Sequence, residues 1–155
     1  MLILDKRDLQ KTIRIENQEI EIRTDFRTWI QFSCIVSDKY IDENYKIPML
    51  FDLVIPNYEL YMENVDSLEL LKGILDFYKC NKPDKPEKKP NKKVGFLFDY
   101  DMDLIFAAFM QQYGINLLRT NMHWWEFKAL LNGFRSLDIE LRIYQKSRTR
   151  RNVQE

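Results

Sequence analysis

Between Asn81 and Lys93 the chain reads NKPDKPEKKPNKK, with three prolines, six lysines and no apolar residue. Such a stretch has nothing to bury, and its prolines interrupt helix and sheet alike, so it is expected to be a flexible, disordered spacer. It splits the apolar residues into two blocks, 1–80 and 94–155, joined by the linker 81–93. A chain of 155 residues is the size of one domain with a real core, and the two blocks are expected to form one. Formal net charge is zero, yet it is distributed unevenly: net −5 over residues 1–80, +4 over 81–93 and +1 over 94–155. No global field therefore recruits nucleic acid or a membrane surface.

Cys34 and Cys80 lie far apart inside apolar helical patterns, which favours reduced, buried thiols over a disulfide. The start, Met1 to Arg7, lacks the apolar core of an export signal, and no run reaches the ~18 apolar residues of a membrane span. A soluble, cytoplasmic protein is the expectation.

Residues 12–23 read as a β-hairpin: Ile13, Ile15, Ile20 and Ile22 alternate with polar partners around an Asn17-Gln18 turn. A helix capped by Thr24 or Asp25 follows, with Phe26, Trp29, Ile30, Ser33 and Cys34 on one face. Pro48 and Pro56 bracket a short helix over residues 48–55, through Leu50, Phe51 and Val54. Asp66 with Glu69 forms a capping-box pattern ahead of a helix with Leu68, Leu71, Leu75 and Tyr78, and Gly73 inside it costs roughly 1 kcal/mol against Ala. Beyond the linker, Phe96-Leu97-Phe98 suits a short strand. Asp99 or Asp101 then caps a helix through Leu104, Ile105, Ala108, Phe109 and Gln112, closed by Gly114-Ile115. Asn121 caps another, with Trp124, Trp125, Phe127, Leu130 and Leu131, ending near Gly133. Leu137, Ile139, Leu141, Ile143 and Tyr144 fit a strand as well as a frayed helix. The fold class expected is α+β and predominantly α-helical: an N-terminal β-hairpin followed by a helical bundle, interrupted by the Lys/Pro linker.

Several of these segments are familiar in their order and spacing: Thr24-Asp25-Phe26-Arg27-Thr28-Trp29-Ile30 after the hairpin, Ile74-Leu75-Asp76-Phe77-Tyr78-Lys79-Cys80 before the linker, Phe98-Asp99-Tyr100-Asp101-Met102-Asp103-Leu104-Ile105, Phe109 to Ile115, and Met122-His123-Trp124-Trp125-Glu126-Phe127. From about residue 12 to about residue 135 the chain resembles a family of small proteins of tailed phages and prophages of Gram-positive bacteria. Their genes lie in the tail module, between the major tail protein and the tape-measure protein. The resemblance implies a tail-assembly chaperone, a protein that binds hydrophobic helical segments of the tape-measure protein, keeps it soluble and helps tube subunits polymerise around it. It also implies action in the host cytoplasm and absence from the mature virion. Other tail proteins and a second copy of the chain are further partners to expect. The basic ending beyond Gly133 departs from the family pattern.

His123 is the only histidine, and nothing near it in sequence supplies a nucleophile or a second base, so it reads as a packing or capping residue at a helix start. One histidine and two scattered cysteines lack metal-ligand spacing. Asp99-x-Asp101-x-Asp103 begins like a calcium loop, but Leu104 stands where that loop needs Gly, while Ala108 and Met110 stand where it needs ligands. Carboxylates complementing a helix dipole explain the run better. The expectation is a protein without catalytic, metal or cofactor residues, and not an enzyme.

Twenty-one aromatic residues must supply most of the core. Phe106 with Phe109, and Trp124 beside Trp125, nevertheless cannot all point into one small core, because successive helical residues diverge by about 100°. The surplus points to a partner surface made of Trp125, Trp124, Phe106, Phe109 and Phe127, with Trp125 the first candidate. The linker lysines read as a solubilising spacer. Arg142, Lys146, Arg148, Arg150 and Arg151 are the candidates for contact with phosphate or an acidic partner, although no aromatic lies among the last arginines to stack on bases. Two rivals to the chaperone remain: a phage-encoded regulator binding a host protein or nucleic acid through that basic end, and a structural tail component.

Overall fold

The computed structural model describes residues 9–83 and 98–134. Their elements are a two-stranded antiparallel hairpin and five α-helices, which is the α+β, predominantly helical architecture expected. The chain clusters into two compact units. The first is Met1–Pro86 with Met122–Phe127, and the second is Glu87–Asn121 with Lys128–Glu155.

In the first unit, β1 (Thr12–Ile15) pairs with β2 (Gln18–Glu21), and Ile13, Ile15, Ile20 and Ile22 are all buried on one face. The turn is Glu16-Asn17, one residue earlier than the sequence suggested, and Glu16 takes the left-handed conformation at φ 54. Both registers bury the isoleucines. The observed one sets Arg14 across from Glu19, whereas the later turn would set Glu16 against Glu19, like charges directly opposite.

Helix α1 (Phe26–Ser37) is capped by Asp25, whose carboxylate accepts from the Arg27 amide at 2.9 Å, and it buries Phe26, Trp29 and Phe32. Helix α2 (Glu43–Val54) begins five residues before Pro48, because the Asp42 carboxylate accepts from the Asn44 amide at 2.8 Å and captures the first turn there. Pro48 then sits inside the helix, where it has no N–H to give the carbonyl four residues back. A 3-10 turn (Tyr58–Leu60) packs against α2.

Helix α3 (Ser67–Tyr78) starts at Asp66, which accepts from the amides of both Leu68 and Glu69. Its buried stripe is Leu70, Ile74 and Phe77, not the expected Leu68, Leu71, Leu75 and Tyr78; Leu68 is 78% exposed. Both stripes have helical spacing. Gly73 decides between them by bringing α3 onto β1, so closely that a Cβ there would stand 2.5 Å from Ile13 Cγ2. The helix closes by returning the Cys80 amide to Phe77 O and the Asn81 amide to Asp76 O, with Cys80 at φ 59 in a position glycine usually fills. Cys34 and Cys80 are unbridged and half-buried rather than fully buried.

In the second unit, α4 (Phe98–Tyr113) opens at Phe98, where a strand was expected, so Asp99 and Asp101 occupy its first turn instead of capping it. Gly114, at φ 65, ends it by giving its amide to Met110 O. Helix α5 (Trp124–Asn132) contributes its residues from Lys128 onward to this unit. There the Tyr113 hydroxyl donates to Leu130 O at 2.8 Å, and Phe134 packs on Phe109 and Tyr113. Most of the Lys/Pro linker, Phe96-Leu97 and the stretch from Leu137 to Tyr144 lie outside the described residues.

Candidate binding surface

The His-Trp-Trp segment is part of the first unit's core. Residues 122–124 run antiparallel to 24–26, with the Phe26 amide donating to Met122 O at 3.0 Å and the Trp124 amide to Thr24 O at 2.8 Å. This pairing places His123 at the start of α5, where its Nδ1 accepts from the Trp125 amide at 3.0 Å. His123, not Asn121, is therefore the cap. Its Nε2 lies 2.8 Å from the carbonyl oxygen of Gln10. An amide N–H can only donate, so Nδ1 must be the acceptor and Nε2 must carry the proton. Burial pushes the imidazole pKa below its ordinary value; the Gln10 hydrogen bond and nearby Glu126 push the other way, and Lys11 adds to the lowering. Both ring nitrogens are committed to holding the fold.

The two adjacent tryptophans leave α5 in different directions yet meet the same target. Trp124 Nε1 donates to Tyr78 O at 3.0 Å and Trp125 Nε1 to Phe77 O at 2.9 Å, so together they satisfy terminal carbonyls of α3. Trp124 stacks on Tyr78 and Phe127, and Trp29 packs against Phe77 within the same cluster. Trp124 and Phe127 are fully buried in the first unit and Phe109 is fully buried in the second. These three are thus core side chains and present no docking surface. Of the proposed interface aromatics, Trp125 and Phe106 are the half-buried pair. Arg142, Lys146, Arg148, Arg150 and Arg151 lie outside the described residues.

Asp99, Asp101 and Asp103 do not converge: Asp99 and Asp103 are exposed on one side of α4, and Asp101 is buried on the other. Among the described residues no three His, Cys, Asp or Glu side chains are grouped to hold a metal ion.

Large apolar side chains that do face solvent lie elsewhere, some singly, as Tyr40, Leu68 and Leu118, and others grouped along the chain on α2 and the turn after it. Tyr45 is 69% exposed, Met49 42%, Leu60 68% and Met62 58%. Tyr45, Pro48, Met49 and Asp52 form one helical stripe opposite the buried Leu50, Phe51 and Val54.

The model of the bacteriophage Gp15 protein family matches residues 6–150. The chain belongs to that family. No curated protein and no solved structure matches it. Membership makes this Gp15-family chain a phage protein and supports a structural or assembly role.

Two positions that matter in this Gp15-family protein carried no sequence signal beyond their charge. Lys46 of α2 is buried and donates to Val36 O and Asp38 O at the end of α1, and to Glu43. Arg23 does the same for α2 through Asp52 O and Leu53 O, both at 2.9 Å. Apart from the Lys46–Glu43 pair within α2, each pairing joins α2 to residues outside it, whose proximity is decided by packing. The exposed stripe of α2 had a visible trace, an acidic first half with apolar residues on more than one helix face, but which face meets solvent follows from the packing of α1 on α2. No described helix is long and apolar enough to cross a membrane.

Proposed function

We propose that this Gp15-family protein is a tail-assembly chaperone, a stoichiometric binder rather than an enzyme, that holds hydrophobic helical segments of the tape-measure protein during tail morphogenesis in the host cytoplasm. The observation that carries this reading is the exposure of large apolar side chains on α2 and the turn beyond it, in a unit whose aromatic core is otherwise closed. Exposed apolar surface rimmed by polar residues marks an interaction site. Family membership supplies the phage context. The role of His123 as a helix cap with both nitrogens engaged supports a binder over a catalyst.

The test is co-expression with the tape-measure protein of the same phage. The expected result is that the protein co-purifies with its partner and keeps it soluble, and that it is absent from purified virions by mass spectrometry. Presence in the virion would instead make it a structural tail component. Failure to bind or solubilise the partner would remove the chaperone reading.

A further inference from the structure

Residues 40–69 of the first unit carry seven carboxylates, from Asp42 to Glu69, and every one is exposed. The same stretch has one basic residue, Lys46, and it is turned inward onto the carbonyls that end α1. The exposed charges of the stretch itself are therefore all negative; the exposed cations beside it are Arg23, seated on Asp52 O and Leu53 O at the end of α2, and Lys39 and Lys72 at its borders. Set among those carboxylates are Tyr45 and Met49 on the outer stripe of α2, and Leu60 and Met62 on the turn that follows. Tyr58 packs edge-on against Phe51, which ties this turn to α2. Tyrosine and methionine make large, adaptable apolar contacts, while carboxylates around them select lysine or arginine and repel acidic surfaces.

We propose that the outer face of α2 and the turn after it bind a cationic amphipathic helix of a partner protein, its apolar stripe on Tyr45 and Met49 and its lysines or arginines against the flanking carboxylates. This rests on the tail-assembly reading for what the helix belongs to, not for its chemistry. The face discriminates by charge, so an acidic helix of equal hydrophobicity is rejected.

The test titrates the full chain with a synthetic peptide of about 18 residues, five helical turns, bearing leucine on one face and lysine on the other, and with a counterpart in which glutamate replaces lysine. Two double variants accompany the wild type, Tyr45→Ser with Met49→Ser and Asp52→Lys with Glu59→Lys, all at exposed positions, with folding checked by circular dichroism. The expected result is binding of the lysine peptide only, weakened by salt and weakened about tenfold or more in each double variant. Equal binding of both peptides, or variants that bind as the wild type does, overturns the proposal. So does binding that appears only after residues 135–155 are removed, which would assign the face to the chain's own basic end. A wild-type dimer in sedimentation that the Tyr45/Met49 variant abolishes would assign the face to a second copy and overturn the proposal as well. If the tape-measure protein still co-purifies with the Tyr45/Met49 variant, this surface falls and the tail-assembly reading survives. If the lysine peptide binds as expected while the tape-measure protein is not captured, the reverse holds.

Discussion

The ring of His123 gives its Nε2–H to the Gln10 carbonyl and takes the Trp125 amide proton on Nδ1, so it joins the segment before β1 to the first turn of α5. Protonating Nδ1 would remove the cap and place a charge in a buried setting. Burial therefore lowers the folded-state pKa below the ordinary 6.5. The unfolded chain then binds the proton more readily, so the contribution of His123 is full above about pH 6.5 and is lost as pH falls through the lowered folded value. Urea melts should show the wild type holding its stability from neutral pH down to about 6.5 and losing it in the window below. His123→Ala should cost about 1–2 kcal/mol at the upper pH and should flatten the dependence across that window; an unchanged slope would refute the assignment. The capping role of His123 was legible because a histidine stood before an apolar helical run. Its partner Gln10 was not, since nothing local links positions 10 and 123.

At the scale of elements, the acidic caps at helix starts are local, whereas the side chains that reach the helix ends come from elsewhere in the chain. Asp25, Asp42 and Asp66 each accept an amide two residues on, which any short acidic side chain at that spacing can do. None of the described helices has a basic residue in its last turn. Beside their own local amide closures, four receive side-chain donors from elsewhere in the chain: α1 from Lys46, α2 from Arg23, α3 from Trp124 and Trp125, and α5 from the Tyr113 hydroxyl. Lys46→Met keeps the stem but leaves the carbonyls at the end of α1 without this donor, so it should lower stability by about 1–3 kcal/mol in chemical denaturation. A neutral result would mean that water satisfies those carbonyls equally well. Gly73→Ala poses two opposed effects. Helix propensity gains about 1 kcal/mol, whereas a Cβ placed 2.5 Å from Ile13 Cγ2 forces β1 away from α3, typically at about 1–3 kcal/mol. The steric cost should win, and the variant should melt below the wild type; a higher melting temperature would show that the hairpin yields cheaply. Gly114→Ala isolates the other glycine effect. Nothing lies within 4 Å of its Cβ position, so only the left-handed φ of 65 opposes the change, at about 1–2 kcal/mol.

For the whole molecule, the first unit draws its last six residues, Met122–Phe127, from beyond the lysine-rich spacer. They bring Trp124 and Phe127, both fully buried, and the strand-like pairing with residues 24–26. A fragment ending at Pro86 lacks all of these. It should keep helical far-ultraviolet dichroism but bind a hydrophobic dye and show red-shifted Trp29 emission, as a chain with a loosened core does. A fragment with a cooperative melt and blue-shifted Trp29 would mean that the segment is dispensable to the core. Alternation of isoleucines, acidic caps and apolar helical spacing are statements about neighbours up to about four residues apart, and the sequence by itself determined the hairpin, the starts of α1 and α3 and the predominantly helical class through them. It also held the acidic, apolar character of residues 40–69 without indicating which side of α2 would meet solvent. Tertiary structure alone decided which of two equally periodic stripes of α3 is buried, that Trp124 and Phe109 are core and not surface, and that Met122–Phe127 completes the first unit. Those outcomes depend on close approach between residues far apart in the chain, such as Gly73 against Ile13 or Trp125 against Phe77, and local pattern carries no information about such meetings.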